Sequence, residues 1–346
     1  MSRICVGMSG GLDSSAAAWL LKREGHEVVG VTFTAWKEEG SRKCCSIEEI
    51  TRAGAVCKAL SIPHRVIDAK DLFGAKIVPD FIESYRRGFT PNPCVLCNRY
   101  VKFGALLEYA LSEGADFAAT GHYVRTVEIE GETLFARAAD PKKDQTYFLC
   151  EVEPDRLPYL RFPLGACTKD EVRALIDGAG LPITSRATES QDICFVPDDY
   201  RDFLRARGVP EEPGDLVYRG RTVGRHPGIA FTGFGQRRGL GVAVGERVFV
   251  TGFDPATRRV FLGDKPSSSR FRLDALNVFS RRFGSGKWDA QVRYLSPAIE
   301  AEVVLSDGGA VVTLPKRVDL VTPGQYCALY RDGVLYAGGR IAELLD

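Results

Sequence analysis

The run ICVGMSGGLDSS, residues 4–15, carries a short apolar segment through two glycines into AAAWLLKREG at 16–25. A strand that ends in glycines and opens directly into a helix is an anion site. Gly10 and Gly11 permit positive φ and close approach of a ligand, and the first-turn N–H groups and helix dipole attract phosphate. Ser9, Ser14 and Ser15 add hydroxyls, whereas Asp13 repels phosphate and is expected to hold Mg²⁺ or to cap the helix. On glycines alone, a bare turn with polar caps explains the run equally well. Other phosphate motifs do not fit: no G-x-x-x-x-G-K-[ST] occurs, and GFGQRRG at 233–239 has the wrong spacing for a dinucleotide fingerprint.

Outward from this point, strand and helix patterns alternate. Arg3–Met8, Glu27–Thr34, His64–Asp68 and Asp116–Thr120 read as strands; Asp13–Arg23, Ile47–Leu60, Asp71–Arg87 and Lys102–Glu113 read as helices. That alternation predicts an α/β domain with a parallel sheet covered on both faces. Val124–Ala138 reads as an inserted hairpin turning at Glu130–Gly131, and Tyr147–Leu149, Lys169–Ala179 and Tyr200–Ala206 as further helices. After Gly208 the long helical patterns stop. Glu246–Phe253, Arg259–Leu262, Glu300–Leu305, Ala310–Leu314 and Tyr326–Tyr330 are short alternating runs between turn residues, which predicts a small β-rich central domain and a C-terminal β-barrel. GDKPSSS, 263–269, is the expected linker. The resulting division is 1–207, 208–266 and 267–346.

Composition sets limits. The 346 residues are 45% hydrophobic and 26% charged, ordinary for a globular chain, and no apolar run reaches membrane-spanning length. Without a visible export signal, a cytoplasmic setting with free thiols is expected. The formal net charge is only +1, so a nucleic-acid partner has to be met by local patches such as Arg86–Arg87, Lys142–Lys143 and Arg237–Arg238.

Among ten cysteines, Cys94 and Cys97 form C-x-x-C within TPNPCVLCNRYVKF, 90–103, and Cys194 lies in ESQDICFVP, 189–197. The prolines predict an extended loop that runs into a helix with Cys97 near its N-terminus, where the dipole, Arg99 and Lys102 favour thiolate. Three chemistries stay open for the trio: a zinc site completed by His122, a redox pair working with a sulfur-carrying cysteine, or a three-cysteine [4Fe–4S] cluster. Cys5, Cys57, Cys150, Cys167 and Cys327 sit in apolar or structural patterns and are expected to be inert.

The motif SGGLDSS matches the SGGxDS signature of the PP-loop ATP pyrophosphatases. The whole chain resembles one branch of them, the bacterial tRNA-specific 2-thiouridylases (MnmA type). The resemblance runs from end to end: GMSGGLDSS, CCS at 44–46, RRGFTPNP, LCN and KF within 86–103, ATGHY at 119–123, KDQTYFL at 143–149, SQDICF at 190–195, GIAFTGFGQRRGLG at 228–241 and TPGQYCALY at 322–330. It implies ATP-dependent 2-thiolation of the wobble uridine (U34) of tRNA through an adenylated C2 oxygen, with ATP and Mg²⁺ as cofactors and a sulfur-carrier protein, cysteine desulfurase or sulfide as donor. It implies Cys97 as nucleophile and Cys194 as the persulfide carrier. ATP contacts fall on Gly7, Met8, Ser9, Gly10, Gly11, Leu12, Asp13, Ser14, Phe33 and Gly121. The tRNA contacts fall on Asn92, Pro93, Cys94, Lys143, Asp144, Gln145, Arg293 and Tyr294. Familiar members carry Asp where this chain has Cys94, and Tyr-Thr where it has Phe231–Thr232. The first departure gives Cys94, Cys97 and Cys194 the look of the cluster-binding trio of other tRNA thiolases, so persulfide and cluster routes both remain open. A PP-loop ligase that adenylates a small substrate is the alternative; it explains the loop but neither the cysteines nor the β-rich appendage.

Overall fold

The computed structural model describes residues 1–34, 47–183, 193–196 and 199–346. The CCS motif at 44–46 and most of the segment leading to Cys194 lie outside these. The first domain is built from β1 (Arg3–Gly7), α1 (Leu12–Arg23), β2 (Glu27–Thr34), α2 (Ile47–Ala59), β3 (His64–Asp68), α3 (Lys70–Lys76), α4 (Val78–Arg86), α5 (Pro93–Cys97), α6 (Leu106–Ser112) and β4 (Phe117–Ala119). A hairpin of β5 (Arg125–Ile129) and β6 (Glu132–Ala136), a short β7 (Leu160–Arg161) and α7 (Lys169–Ala179) follow. The sheet order is β3-β2-β1-β4-β7, all parallel.

Strand alternation sorts the side chains. Ile4, Val6 and Val28 pack on one face with α1, α2 and α7, while Cys5, Val29 and Val31 face the opposite layer with Leu106 and Phe103. Chain order leaves β1 to one side for β2 and to the other for β4. The C-terminal end of β1 is therefore the topological switch point, where open α/β sheets place their ligands.

Two helices differ from the sequence reading. The stretch expected as one helix over 71–87 divides at Ile77, because Pro79 cannot donate the next intrahelical hydrogen bond. The helix expected from Lys102 begins nine residues earlier, at Pro93. It runs through α5, a wide π-type segment at Asn98–Ala105 and α6 to Ser112.

The central unit joins α8 (Tyr200–Ala206) to a four-stranded sheet of β8 (Gly214–Tyr218), β9 (Arg221–His226), β10 (Phe249–Asp254) and β11 (Arg259–Gly263), in the order β10-β11-β8-β9. Six strands then close a barrel: β12 (Ser267–Val278), β13 (Gly286–Gln291), β14 (Ile299–Ser306), β15 (Gly309–Asp319), β16 (Tyr326–Arg331) and β17 (Val334–Leu344). The order is β12-β15-β14-β13-β16-β17, and β17 returns to β12. Closure removes every free edge from this ring. Ser267 and Ser268, read as linker, are register partners of Asp319 and Val318, so the joint shrinks to 264–266.

The hairpin β5–β6 turns at Glu130–Gly131 as expected, both with positive φ. It is no isolated insertion, because Ala136 of β6 pairs with Val334 of β17. Beneath that junction the core is continuous: Phe103, Leu106 and Phe135 share one apolar cluster with Phe271, Trp288 and Tyr330. No described helix is long and apolar enough to cross a membrane.

Candidate active site

At the end of β1, Gly10 has φ +71°, and a Cβ there would lie 2.6 Å from the Glu49 carbonyl oxygen. Gly11 is the N-cap of α1, and no side chain caps that helix. The N-terminal turn is thus held open by backbone alone. The hydroxyls of Ser14 and Ser15 donate to the Gly11 carbonyl at 3.1 and 2.8 Å, and Ser14 Oγ also accepts the Ser9 N–H at 3.2 Å. Gly121, just past β4, abuts this turn. A Cβ on it would sit 2.5 Å from the Asp13 carbonyl carbon and 2.7 Å from Ser14 N. Gly7, Met8 and Leu12 flank the turn along the chain, with Met8 tied to β2 through its N–H to the Val31 carbonyl at 2.7 Å. Phe33 touches both the main core and the cluster that carries the cysteines.

Asp13 is not the cap. Its carboxylate takes Lys169 Nζ at 2.8 and 2.9 Å and the Tyr123 hydroxyl at 2.8 Å. Neither partner was singled out from sequence. The signal for Lys169 was its position: it opens α7, inside the Thr168–Glu171 capping box, where a cation opposes the helix dipole and needs another reason to be there. The reason is Asp13, 156 residues away.

Cys97 and the neighbours of Cys194 meet on a separate cluster. Phe195 is buried edge-on against Phe73, Phe81 and Phe203, with ring centroids 5.2, 5.1 and 5.3 Å apart. It pins the preceding Cys194, which is exposed. Leu96 and Val101 belong to the same cluster, and Cys97 and Ile193 pack against it. Cys94 is exposed, in the first turn of α5. Burial pushes its thiol up; Cys194 pushes the same way, and the Lys102 charge opposes them. Cys94 and Cys194 therefore lie within electrostatic reach across 100 residues of chain. The placement of Cys97 is a correction: Cys94 occupies the first turn of α5, and Cys97 ends that helix.

His122 does not complete a zinc site. It is buried, hydrogen-bonded through Nδ1 to Thr120 Oγ1 at 2.8 Å, and burial holds its pKa well below the usual imidazole range. Among the described residues no three His, Cys, Asp or Glu side chains are gathered as metal ligands. The cysteine trio does not have the convergence that a [4Fe–4S] cluster requires. The four other buried thiols, Cys5, Cys57, Cys150 and Cys327, are fully inaccessible, and burial raises the pKa of each. Cys167 is half-buried.

The segment 88–92 before α5 is gripped by all three domains. Thr90 N–H donates to the Pro323 carbonyl at 2.9 Å, and Gln325 Nε2 donates to the Thr90 carbonyl at 2.8 Å. A Cβ on Gly324 would meet Phe89 Cβ at 2.7 Å, and one on Gly88 would strike the Phe253 ring of the central sheet at 2.4 Å. Asn92 is half-buried and Pro93 buried. The remaining tRNA-contact candidates divide. Arg293 is exposed, Lys143 is half-buried, and Tyr294 leans on Phe148 with ring centroids 4.3 Å apart. Asp144, in contrast, is buried; its carboxylate accepts from Arg137 at 2.8 Å, Thr146 at 2.7 Å and the Ala138 N–H at 3.0 Å. Gln145 Oε1 is taken by the Tyr123 N–H at 3.0 Å. The Asp144 carboxylate and Gln145 Oε1 thus help to hold this corner of the fold together, and Gln145 is half-buried.

Three family models match in succession: a "tRNA methyl transferase HUP domain" over 2–198, a "tRNA methyl transferase PRC-barrel domain" over 201–264 and an "aminomethyltransferase beta-barrel domain" over 268–341. Curated relatives match over nearly their full length, and their names specify thiolation. The tRNA-specific 2-thiouridylase MnmA of Moorella thermoacetica is 40% identical over 98% of this chain and 99% of its own. That of Pelotomaculum thermopropionicum is 40% identical over 100% and 98%, and that of Methylorubrum populi 43% over 96% and 90%.

Proposed function

The chain belongs to the tRNA-specific 2-thiouridylase family, and from that premise we propose that it adenylates the C2 oxygen of the wobble uridine of tRNA and replaces that oxygen with sulfur carried on Cys194. The reaction class is tRNA sulfur transfer. The observation that carries the finer reading is that Cys97 packs against the apolar cluster in which Phe195 anchors the neighbouring Cys194, with Cys94 within electrostatic reach of Cys194. Phe33, near the end of β2, packs against that cluster, and β2 pairs with the strand that leads into the nucleotide loop.

The chemistry divides the work between the two halves of the site. Oxide is too poor a leaving group to be displaced from C2. Attack of O2 on the α-phosphate of ATP releases pyrophosphate and converts that oxygen into part of AMP. The uncapped turn at Gly11 and the glycines at 10 and 121 let the triphosphate approach the backbone closely, and Mg²⁺ accompanying ATP screens its charge. The target base must leave the anticodon stack, which costs a few kcal/mol.

Sulfur arrives as a Cys194 persulfide. The Cys97 thiolate attacks Cys194 Sγ, forming the Sγ–Sγ bond and expelling hydrosulfide. Hydrosulfide adds to C2, and collapse of the adduct expels AMP with the former uridine oxygen. Each turnover leaves one disulfide, which a dithiol reductant reopens. A persulfide on a sulfur-carrier protein or a cysteine desulfurase then passes its outer sulfur to the Cys194 thiolate, leaving as a thiolate itself. Sulfide recharges Cys194 only by attacking Cys194 Sγ of the disulfide directly, in place of the reductant, which forms the Cys194 persulfide and expels the Cys97 thiolate. No step is assigned to an iron–sulfur cluster, because the described residues do not converge as its ligands.

The test is thiolation of unmodified tRNA by anaerobically purified protein. Cys97→Ala and Cys194→Ala should each abolish 2-thiouridine while sparing ATP binding. Cys94→Asp should remain active, with low iron in the native protein. Iron and activity lost together in Cys94→Asp would overturn the persulfide route.

A further inference from the structure

The GIAFTGFGQRRGLG stretch lies in the central unit, where Ala230 and Phe231 join the apolar cluster that Cys97 packs against, and it helps to build two adjoining cavities. The larger, about 410 Å³, is lined by Arg201, Arg225, Arg238, Gln236 and His226 and has no carboxylate in its wall. The smaller, about 280 Å³, takes Arg237 and Arg247. Gly239 and Leu240 form the lip between the two. Five guanidinium groups thus face a pair of cavities in a chain of net charge +1.

Nearby carboxylates neutralise only part of this charge. Asp199 pairs with Arg201 at 3.0 Å, and Asp215 reaches Arg225 at 3.6 Å. Glu246, in the wall of the smaller cavity, is taken up by Arg219 at 3.0 Å and the Tyr218 hydroxyl at 2.5 Å. Arg237, Arg238 and Arg247 make no ion pair among the described residues.

The framework beneath is fixed. Gln236 Oε1 accepts from Arg201 at 3.0 Å and from the Gly233 N–H at 2.9 Å, and its Nε2 donates to the Arg238 carbonyl at 3.0 Å. Gly235 N–H and the Gln236 carbonyl pair with Val250 of β10. His226 is buried; its Nε2 meets the Arg258 carbonyl at 3.1 Å, and its Nδ1 has no partner. A polar group buried without a partner is uncommon, and here it belongs to the wall of the basic cavity.

We propose that this pair of cavities seats consecutive backbone phosphates of a single RNA strand. Guanidinium offers only donors in a planar fork suited to phosphate oxygens. Two such cavities sharing one lip suit a polymer of repeating phosphates better than a lone anion. The only aromatic side chain in either lining is Phe231, which is buried and covered by Arg205, so no ring is offered for a free nucleotide's base to stack on. The inference rests on the reading of the protein as a tRNA enzyme and adds a site that reading does not use.

The test is equilibrium binding of tRNA to the full chain over a series of salt concentrations, for wild type and for Arg225→Gln/Arg238→Gln. Both arginines are exposed, and ATP affinity measured in parallel reports on the fold. The expected result is an affinity loss of about tenfold at fixed salt and a log K–log salt slope shallower by about two, one per phosphate contact removed. Arg225→Lys/Arg238→Lys should restore most of the slope. An unchanged slope in the Gln variant overturns the proposal, whether or not affinity falls, since a purely structural defect does not alter the number of ions released. Inorganic phosphate is the control for a free anion: saturable displacement of the ¹⁵N signal of His226, one of only four histidines, without any change in the tRNA slope would reassign the cavities to a small ligand and overturn the RNA assignment. Binding is read without catalysis. A protein that binds tRNA through these arginines but forms no thiouridine would sink the proposed reaction and leave this site standing.

Discussion

Replacing Lys169 by Met removes one charge and keeps the aliphatic stem. In the native protein the Lys169 side chain is 6% exposed and that of Asp13 34%, and Nζ donates to both carboxylate oxygens at 2.8 and 2.9 Å. Loss of one partner of a fully buried pair costs about 3–5 kcal/mol, while a charge-assisted hydrogen bond is worth about 1.5–3. Asp13 is one-third open to water and keeps the Tyr123 hydroxyl, so the lower range applies, about 2–3 kcal/mol. For a domain of this size that lowers the melting temperature of the N-terminal unit by roughly 4–12 °C. Thermal unfolding followed by the near-ultraviolet signal reads it. The second arm is Asp13→Asn/Lys169→Met. With the carboxylate gone, little remains to be left unpaired, so the double variant should be more stable than Lys169→Met alone. A single variant melting within 1 °C of wild type, or a double variant whose losses simply add, would show that the pair does not hold the nucleotide loop against α7.

Gly121→Ala forces a Cβ to within 2.5 Å of the Asp13 backbone, which has to move; ATP–pyrophosphate exchange should fall on the order of 10–100-fold, and an unchanged rate would place the nucleotide elsewhere. Glu151 is a buried carboxyl whose pKa is pushed up to about 7 by burial, with Arg99, 2.9 Å away, opposing the shift. The folded state binds the proton more tightly than the unfolded one, so this group's contribution to stability falls as pH rises from about 4.5 through 7. Glu151→Gln should therefore gain on wild type between pH 5 and pH 8 in melting temperature, and a constant difference across that range would contradict the assignment.

The strand pattern and the glycine run at 4–15 were enough to establish the parallel α/β domain and the open turn that ends its first strand, because period-two burial and the φ demands of a tight turn are written in neighbouring residues. The same holds for α7, whose cap and boundaries follow from Thr168, Glu171 and the apolar spacing. The helix through Cys97 was misplaced because the pull of Pro93 as a helix opener was outweighed, in a local reading, by the apolar period that starts at Lys102. The serines after Pro266 look like linker on composition and became strand because barrel closure supplies partners 50 residues away. Division into domains was legible as a change of texture. The continuous core joining Phe135 to Trp288 was not, since each element is amphipathic on its own and nothing local says which apolar face it will meet. The sequence by itself determined which residue types stand ready for chemistry: a glycine loop, three distinctive cysteines and an arginine-rich turn. Only the tertiary structure decided which of them act together, setting Lys169 on Asp13, Cys194 within reach of Cys94, and Asp144 in the interior. The first two follow from packing across 100 or more residues, and the third from local partners that burial beneath the barrel junction locks in place; in each case the chain satisfies charges that the sequence pattern alone does not pair.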